Sequence, residues 1–111
     1  MRILLDHNTP APLRYLLKGH QVETAYEKGW AQLTNGELLS AAESSGFDLI
    51  VTTDKGIRYQ QDWSRRKLSL LVLSTNDWTR IRRCKSLVAR AVDSIGAEAC
   101  VELEIPVFQD F

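Results

Sequence analysis

Two short apolar runs, each ending in an aspartate, organise the hydrophobic pattern of this chain. Leu49, Ile50 and Val51 form an unbroken run, too short for a helix and β-branched in two of three positions, which predicts a strand buried on both faces. Thr52 and Thr53 lead from it to Asp54. Ile3 to Leu5 repeats the design and runs into Asp6, His7 and Asn8. Carboxylates at these positions sit outside the carboxyl ends of their strands, where open α/β sheets bind ligands.

The remaining elements follow from periodicity and punctuation. Thr9 and Pro10 read as an N-cap and a first helical proline, opening a helix with Leu13, Leu16 and Leu17 on one face and Gly19 as its stop. His20 to Ala25 reads as a second strand, and a turn-rich stretch follows around Lys28, Gly29 and Trp30. Thr34 with Glu37 fits a capping box, the helix it starts has Leu38, Ala41 and Ala42 as its buried stripe, and Gly46 ends it. After Asp54 comes a polar segment with Tyr59 and Trp63, read as one or two helical turns and a loop. Leu68 to Leu73 is a fourth strand. Thr75, Asn76 and Asp77 cap one longer helix whose apolar stripe runs from Trp78 through Ile81, Val88, Ala91 and Val92 to Ile95, interrupted by Lys85. Val101 to Ile105 alternates with period two, which predicts an edge strand with one wet face, stopped by Pro106. Strands alternating with helices imply a parallel sheet with helices on both sides.

At 111 residues the chain is one domain, residues 1–111, without visible repeat or linker. No apolar run approaches the roughly 20 residues of a membrane span, and Asp6 breaks the first apolar run before the hydrophobic region of a signal peptide could form. Cys84 and Cys100 match no metal or redox spacing and read as reduced thiols of a cytoplasmic protein. The formal net charge of zero hides a division: residues 58–90 carry 9 Lys/Arg against 2 Asp/Glu, and residues 93–111 carry 0 against 5. The basic block is either a polyanion surface or is neutralised by the acidic tail, across the fold or across a homodimer formed at an exposed edge.

With these residues in place, the chain resembles a family of small bacterial PIN-like proteins. Arg2 to Pro10 is similar to its "LLDENLP" opening, Gly19 to Val22 to "GHDV", Thr34 to Leu39 to "SDEEIL", and Val51 to Ile57 to "VTRDKDF". The match in order and spacing covers residues 1 to about 75. The resemblance implies a three-layer α/β/α sandwich with a mainly parallel sheet of 4–5 strands. It also implies kinship with metal-dependent ribonucleases, among them the toxins of bacterial toxin-antitoxin pairs. In that frame Asp6 and Asp54 hold Mg²⁺ or Mn²⁺, which activates water for attack on an RNA phosphate; the two carboxylates would otherwise repel. Asn8 supports a ligand by hydrogen bonding, Lys55 and Asn35 face phosphate, and Glu37 is a further catalytic candidate beside its reading as half of the capping box. Arg65, Arg66, Arg82 and Arg83 track the RNA backbone, with Trp63 or Tyr59 available for stacking. RNA and a cognate antitoxin are the implied partners.

Acids of the family are replaced around the two aspartates: His7 stands for the glutamate of "LDEN", Asn35 for the aspartate of "SDEEIL", and Gly56 for the second aspartate of "DKD". His7 in its neutral form is a possible metal ligand or an ordinary hydrogen-bonded residue. A degenerate PIN-like module that binds RNA or a protein without cutting is the alternative reading. A third is a receiver-like phosphoacceptor domain built around Asp54, which requires a lysine at the end of the last strand, where this chain has none.

Overall fold

The computed structural model describes residues 1–63, 66–97 and 99–107. Five strands form one sheet: β1 (Arg2–Leu5), β2 (Gln21–Thr24), β3 (Leu49–Thr52), β4 (Ser69–Leu73) and β5 (Cys100–Leu103), in the order β2-β1-β3-β4-β5 with every pairing parallel. Leu5 lies opposite Thr24 on one side and Val51 on the other, and Thr52 lies opposite Val72. Backbone pairing continues one residue past β1 and β4, where the Asp6 N–H donates to Val51 O at 3.0 Å and the Ser74 N–H to Leu103 O at 3.0 Å.

Alternate residues of the central strands feed two apolar cores. Ile3, Leu5, Leu49, Val51, Leu71 and Leu73 point to one face, against a short 3-10 helix (Ala11–Leu16) and the pair α3 (Trp78–Arg83) and α4 (Lys85–Ser94). Leu4, Ile50, Leu70 and Val72 point to the other, against α1 (Asn35–Ser44) and α2 (Ile57–Gln60). The result is a three-layer α/β/α sandwich with β3 and β4 buried along their whole length, as their apolar runs require.

The first and last connections therefore cover the same face, although β1 to β2 steps one way along the sheet and β4 to β5 the other. Two such connections have opposite hands, so the last crossover is opposite in hand to the first three. This separates the chain from the receiver-type sheet, which shares the strand order: uniform handedness would put α3 and α4 beside α1. The 3-10 helix spans only about 12 Å at roughly 2 Å per residue, too little to cover its face alone, and the stripe Ile81, Cys84, Val88 and Val92 completes the layer.

The structure alters several local expectations. Thr9 does not cap the first helix; its hydroxyl donates to Val51 O at 3.1 Å, and Pro10 occupies the cap position. Pro12, which has no N–H to give, follows in the first turn, and the Leu13 N–H bonds to Pro10 O, so this helix is of the 3-10 type. The long helix expected after Asp77 is two: Cys84, at φ −109° and ψ 26°, breaks it, bonding its N–H to Ile81 O while its side chain stays in the core. In α1, Leu39 joins Leu38 and Ala42 in the buried stripe, where Ala41 was expected. Gly19 and Gly46, at φ +87° and +82°, end their helices in the left-handed region that favours glycine. Among the described residues the tail meets the basic block where Arg58 Nη1 lies 3.6 Å from Glu102, where the Tyr59 hydroxyl donates to the same carboxylate, and where Arg80 Nη2 donates to Ile105 O at 2.6 Å.

At the amino edge of the sheet, Glu43 joins α1 to the segment before β4. It accepts from the Arg66 guanidinium and from the Lys67 N–H at 2.9 Å. Burial pushes its carboxyl up, but the Lys67 N–H and the Arg66 charge outweigh that and hold it below the ordinary value. A depressed native value stabilises the fold above the unfolded value of about 4.3, and the stabilisation is lost as pH falls through the native value. Glu43→Gln is expected to cost up to about 1 kcal/mol at neutral pH, a difference that closes as the pH falls through the lowered native value. Urea denaturation at several pH values measures this; a pH-independent difference would contradict it.

Candidate functional site

The chain leaves β1 for β2 on one side and returns across it to β3 on the other, so the crevice between the carboxyl ends of β1 and β3 is the switch point of the sheet. Asp6 follows β1 there, and Thr52, Thr53 and Asp54 follow β3. The two aspartates are joined by one side chain. The Thr52 hydroxyl, wholly buried, donates to Asp6 Oδ2 at 2.7 Å and accepts the Asp54 N–H at 3.0 Å. A hydroxyl carries one donor and two acceptor positions, so it serves both neighbours at once.

Asp6 is only 2% exposed. Its Oδ1 accepts the His7 N–H at 2.6 Å and His7 Nδ1 at 2.8 Å. An ionised carboxylate only accepts, so Nδ1 is the protonated nitrogen of His7 and Nε2 is left facing outward. Asp54 is half-buried; its Oδ1 accepts the Gly56 N–H at 2.9 Å, a turn typical of aspartate, and its Oδ2 accepts the Asn35 side-chain amide at 3.2 Å. Asn35 is presented by the first turn of α1 and also reaches Gln60 Oε1 at 3.5 Å.

The other expected site residues divide by position. Glu37 is a cap: its N–H bonds to the Thr34 hydroxyl and its carboxylate accepts the Thr34 N–H at 3.1 Å, and these Thr34 contacts hold its carboxyl below the ordinary range. Its Oε1 is engaged at the helix start. Asn8 is exposed in the turn after β1 and bonds to neither aspartate. Lys55 is exposed beside Asp54 and lines a cavity of about 290 Å³ with Ser74, Glu102 and Glu104, at the carboxyl ends of β4 and β5. Arg66 lies at the opposite edge of the sheet, bound to Glu43. Arg82 and Arg83 are exposed in the last turn of α3. Arg65 and, in the acidic tail, Glu98 lie outside the described residues.

The donor set is a poor one for Mg²⁺ or Mn²⁺. Such a cation draws one or two carboxylates into a shell of six or more oxygens, and here every carboxylate oxygen of Asp6 and Asp54 already accepts at least one hydrogen bond from a protein donor. Among the described residues, no three His, Cys, Asp or Glu side chains converge in a way that could hold a metal ion. What the site lacks is visible at Gly56. Its φ of −71° suits any residue, and a Cβ there would lie 3.2 Å from Asp54 Oδ1 and 3.0 Å from the movable end of Gln60.

Sequence reasoning missed a cavity of about 450 Å³ between the 3-10 helix and the turn after β2. Asp6, His7, Arg14, Tyr15, Tyr26 and Glu27 are among its lining residues, and Asp54 is not. The available signal was Tyr15, which stands off the Leu13 and Leu17 face, and Tyr26, which follows β2 directly; they are 72% and 80% exposed.

Thr52→Val keeps the shape of the bridging side chain and removes its hydroxyl, leaving Asp6 Oδ2 and the Asp54 N–H without their partner. The expected cost is about 1–3 kcal/mol, with Thr52→Ser close to wild type, read from chemical denaturation. Equal stability of the valine variant and the wild type would show that the bridge carries none. No protein-family model, curated protein or solved structure matches this chain.

Proposed function

We propose that this chain is a PIN-like module that binds RNA at the carboxyl edge of its sheet without cutting it. One observation carries the reading. At two positions where the resembled family has an acid, the side chain of this protein donates instead to one of the two aspartates, His7 to Asp6 and Asn35 to Asp54, and the backbone N–H of Gly56, at a third, also bonds to Asp54. Donors there stabilise the carboxylates from within the protein. Replacement of acids by His7 and Asn35 therefore removes possible metal ligands and adds donors that hold the remaining aspartates without a metal.

RNA is favoured as the partner by what remains exposed. Lys55 stands at the edge beside Asp54, and Arg82 projects from the α3 layer. Contacts of this kind to phosphate give affinity with little sequence preference. A cytoplasmic location accords with this reading, because Cys84 and Cys100 are both free thiols; no helix among the described residues is long and apolar enough to cross a membrane.

The test combines Mn²⁺ titration calorimetry with fluorescence anisotropy on a labelled single-stranded RNA. The wild type is expected to show no saturable Mn²⁺ binding, and an RNA affinity that falls with added salt without cleavage when Mn²⁺ is present. The paired substitution Asn35→Asp with Gly56→Asp is expected to create a Mn²⁺ site. Saturable binding in the wild type that disappears in Asp6→Ala and Asp54→Ala, together with Mn²⁺-dependent cleavage, would replace this reading with that of a toxin-type ribonuclease held by an antitoxin. Absence of RNA binding at low salt would end it.

A further inference from the structure

We infer that the 450 Å³ cavity beside Asp6 is a nucleobase pocket, which takes one unpaired base by stacking on tyrosine and by hydrogen bonds to Arg14, Glu27 and His7. The inference rests on the RNA-binding reading for the source of the base and on the cavity alone for its chemistry.

Size, charge and surface each narrow the occupant. The volume is within the range of small-ligand sites, roughly 300–1,000 Å³. Asp6 and Glu27 against Arg14 leave the lining with one net negative charge while His7 is neutral, and the Arg14 guanidinium is already paired with Glu27. A phosphate would meet that negative charge, so the cavity selects a neutral group and leaves phosphates to the rim. Tyr15 and Tyr26, at 72% and 80% exposed, present far more ring surface to solvent than a folded chain needs. Aliphatic lining is confined to small or rigid residues such as Ala11 and Pro12, which form no deep socket for a leucine or phenylalanine side chain.

Polar groups in the wall suit a heterocycle that carries donors and acceptors on one edge. The Arg14 side chain is 30% exposed, and its guanidinium is held in place by Glu27. Glu27 Oε1 accepts from Arg14 and from the Thr24 N–H at 3.1 Å, which fixes the carboxylate in place. His7 is oriented by its 2.8 Å bond to Asp6, and 46% of its side chain is exposed, so its Nε2 is available to a base edge. Unpaired bases are recognised in this way, by aromatic stacking and by hydrogen bonds to their exposed edges.

The probes are adenosine, cytidine and inorganic phosphate, titrated into the full chain and followed by amide chemical shifts. Both nucleosides are expected to shift the amides of Arg14, Tyr15 and Tyr26 saturably, and phosphate to leave them unmoved. Tyr15→Ala and Tyr26→Ala should each weaken nucleoside and RNA binding by about 5- to 100-fold, with Tyr26→Phe retaining the affinity and Leu87→Ala, on the exposed surface of α4, unchanged. Both tyrosines are exposed, so the alanine variants keep the fold, which circular dichroism checks. Nucleosides that leave these amides unmoved, or alanine variants that bind like the wild type, would overturn the pocket. If RNA still binds under those results, the RNA reading stands and the pocket falls. If nucleosides bind at the cavity while RNA does not, the pocket stands as a site for free nucleosides and the RNA reading falls.

Discussion

A parallel sheet that is apolar on both faces cannot leave either face to water, and the layout of this protein follows from meeting that demand with short helices. α1 and α2 cover one face. On the other, two prolines reduce the first crossover to a 3-10 helix, and the chain after β4 turns back over that face instead of joining α1. The reversed hand of the last crossover is the consequence. It also sets the site apart, because the carboxyl edge is bordered by a short, proline-bound segment and an open cavity on the β2 side, and by α1 on the β3 side.

The polar groups at this edge are arranged around the difficulty of keeping a carboxylate at 2% exposure. Such a group is tolerated only when its lone pairs are filled. Thr52 and His7 fill those of Asp6, and Thr52 passes the connection to Asp54, which Asn35 and Gly56 complete. A network of this type favours one geometry and resists rearrangement.

Strand positions were legible because their signal is local. The runs at Ile3 to Leu5, Leu49 to Val51 and Leu68 to Leu73 state burial on both faces, and the capping box at Thr34 and Glu37 states a helix start within four residues. The pattern failed where a side chain had a more distant use. Thr9 looked like a cap and bonds instead to β3, and Cys84 sat within a continuous apolar stripe yet breaks the helix while staying buried. Arg66 reads as a free cation in sequence and is bound to Glu43, 23 positions away.

The chain by itself determined the alternation of strands and helices, the layered class, and two aspartates at strand ends, because periodicity, caps and glycine stops depend on neighbours only a few residues apart. Tertiary structure alone decided that the aspartates are bridged by Thr52, that Asn35 donates to Asp54 from 19 positions away, and that Arg14, Tyr15, Tyr26 and Glu27 enclose a cavity beside Asp6. Those outcomes depend on which strands become neighbours and which face each crossover takes. Strand order and handedness are settled by long-range packing, and no local pattern encodes them.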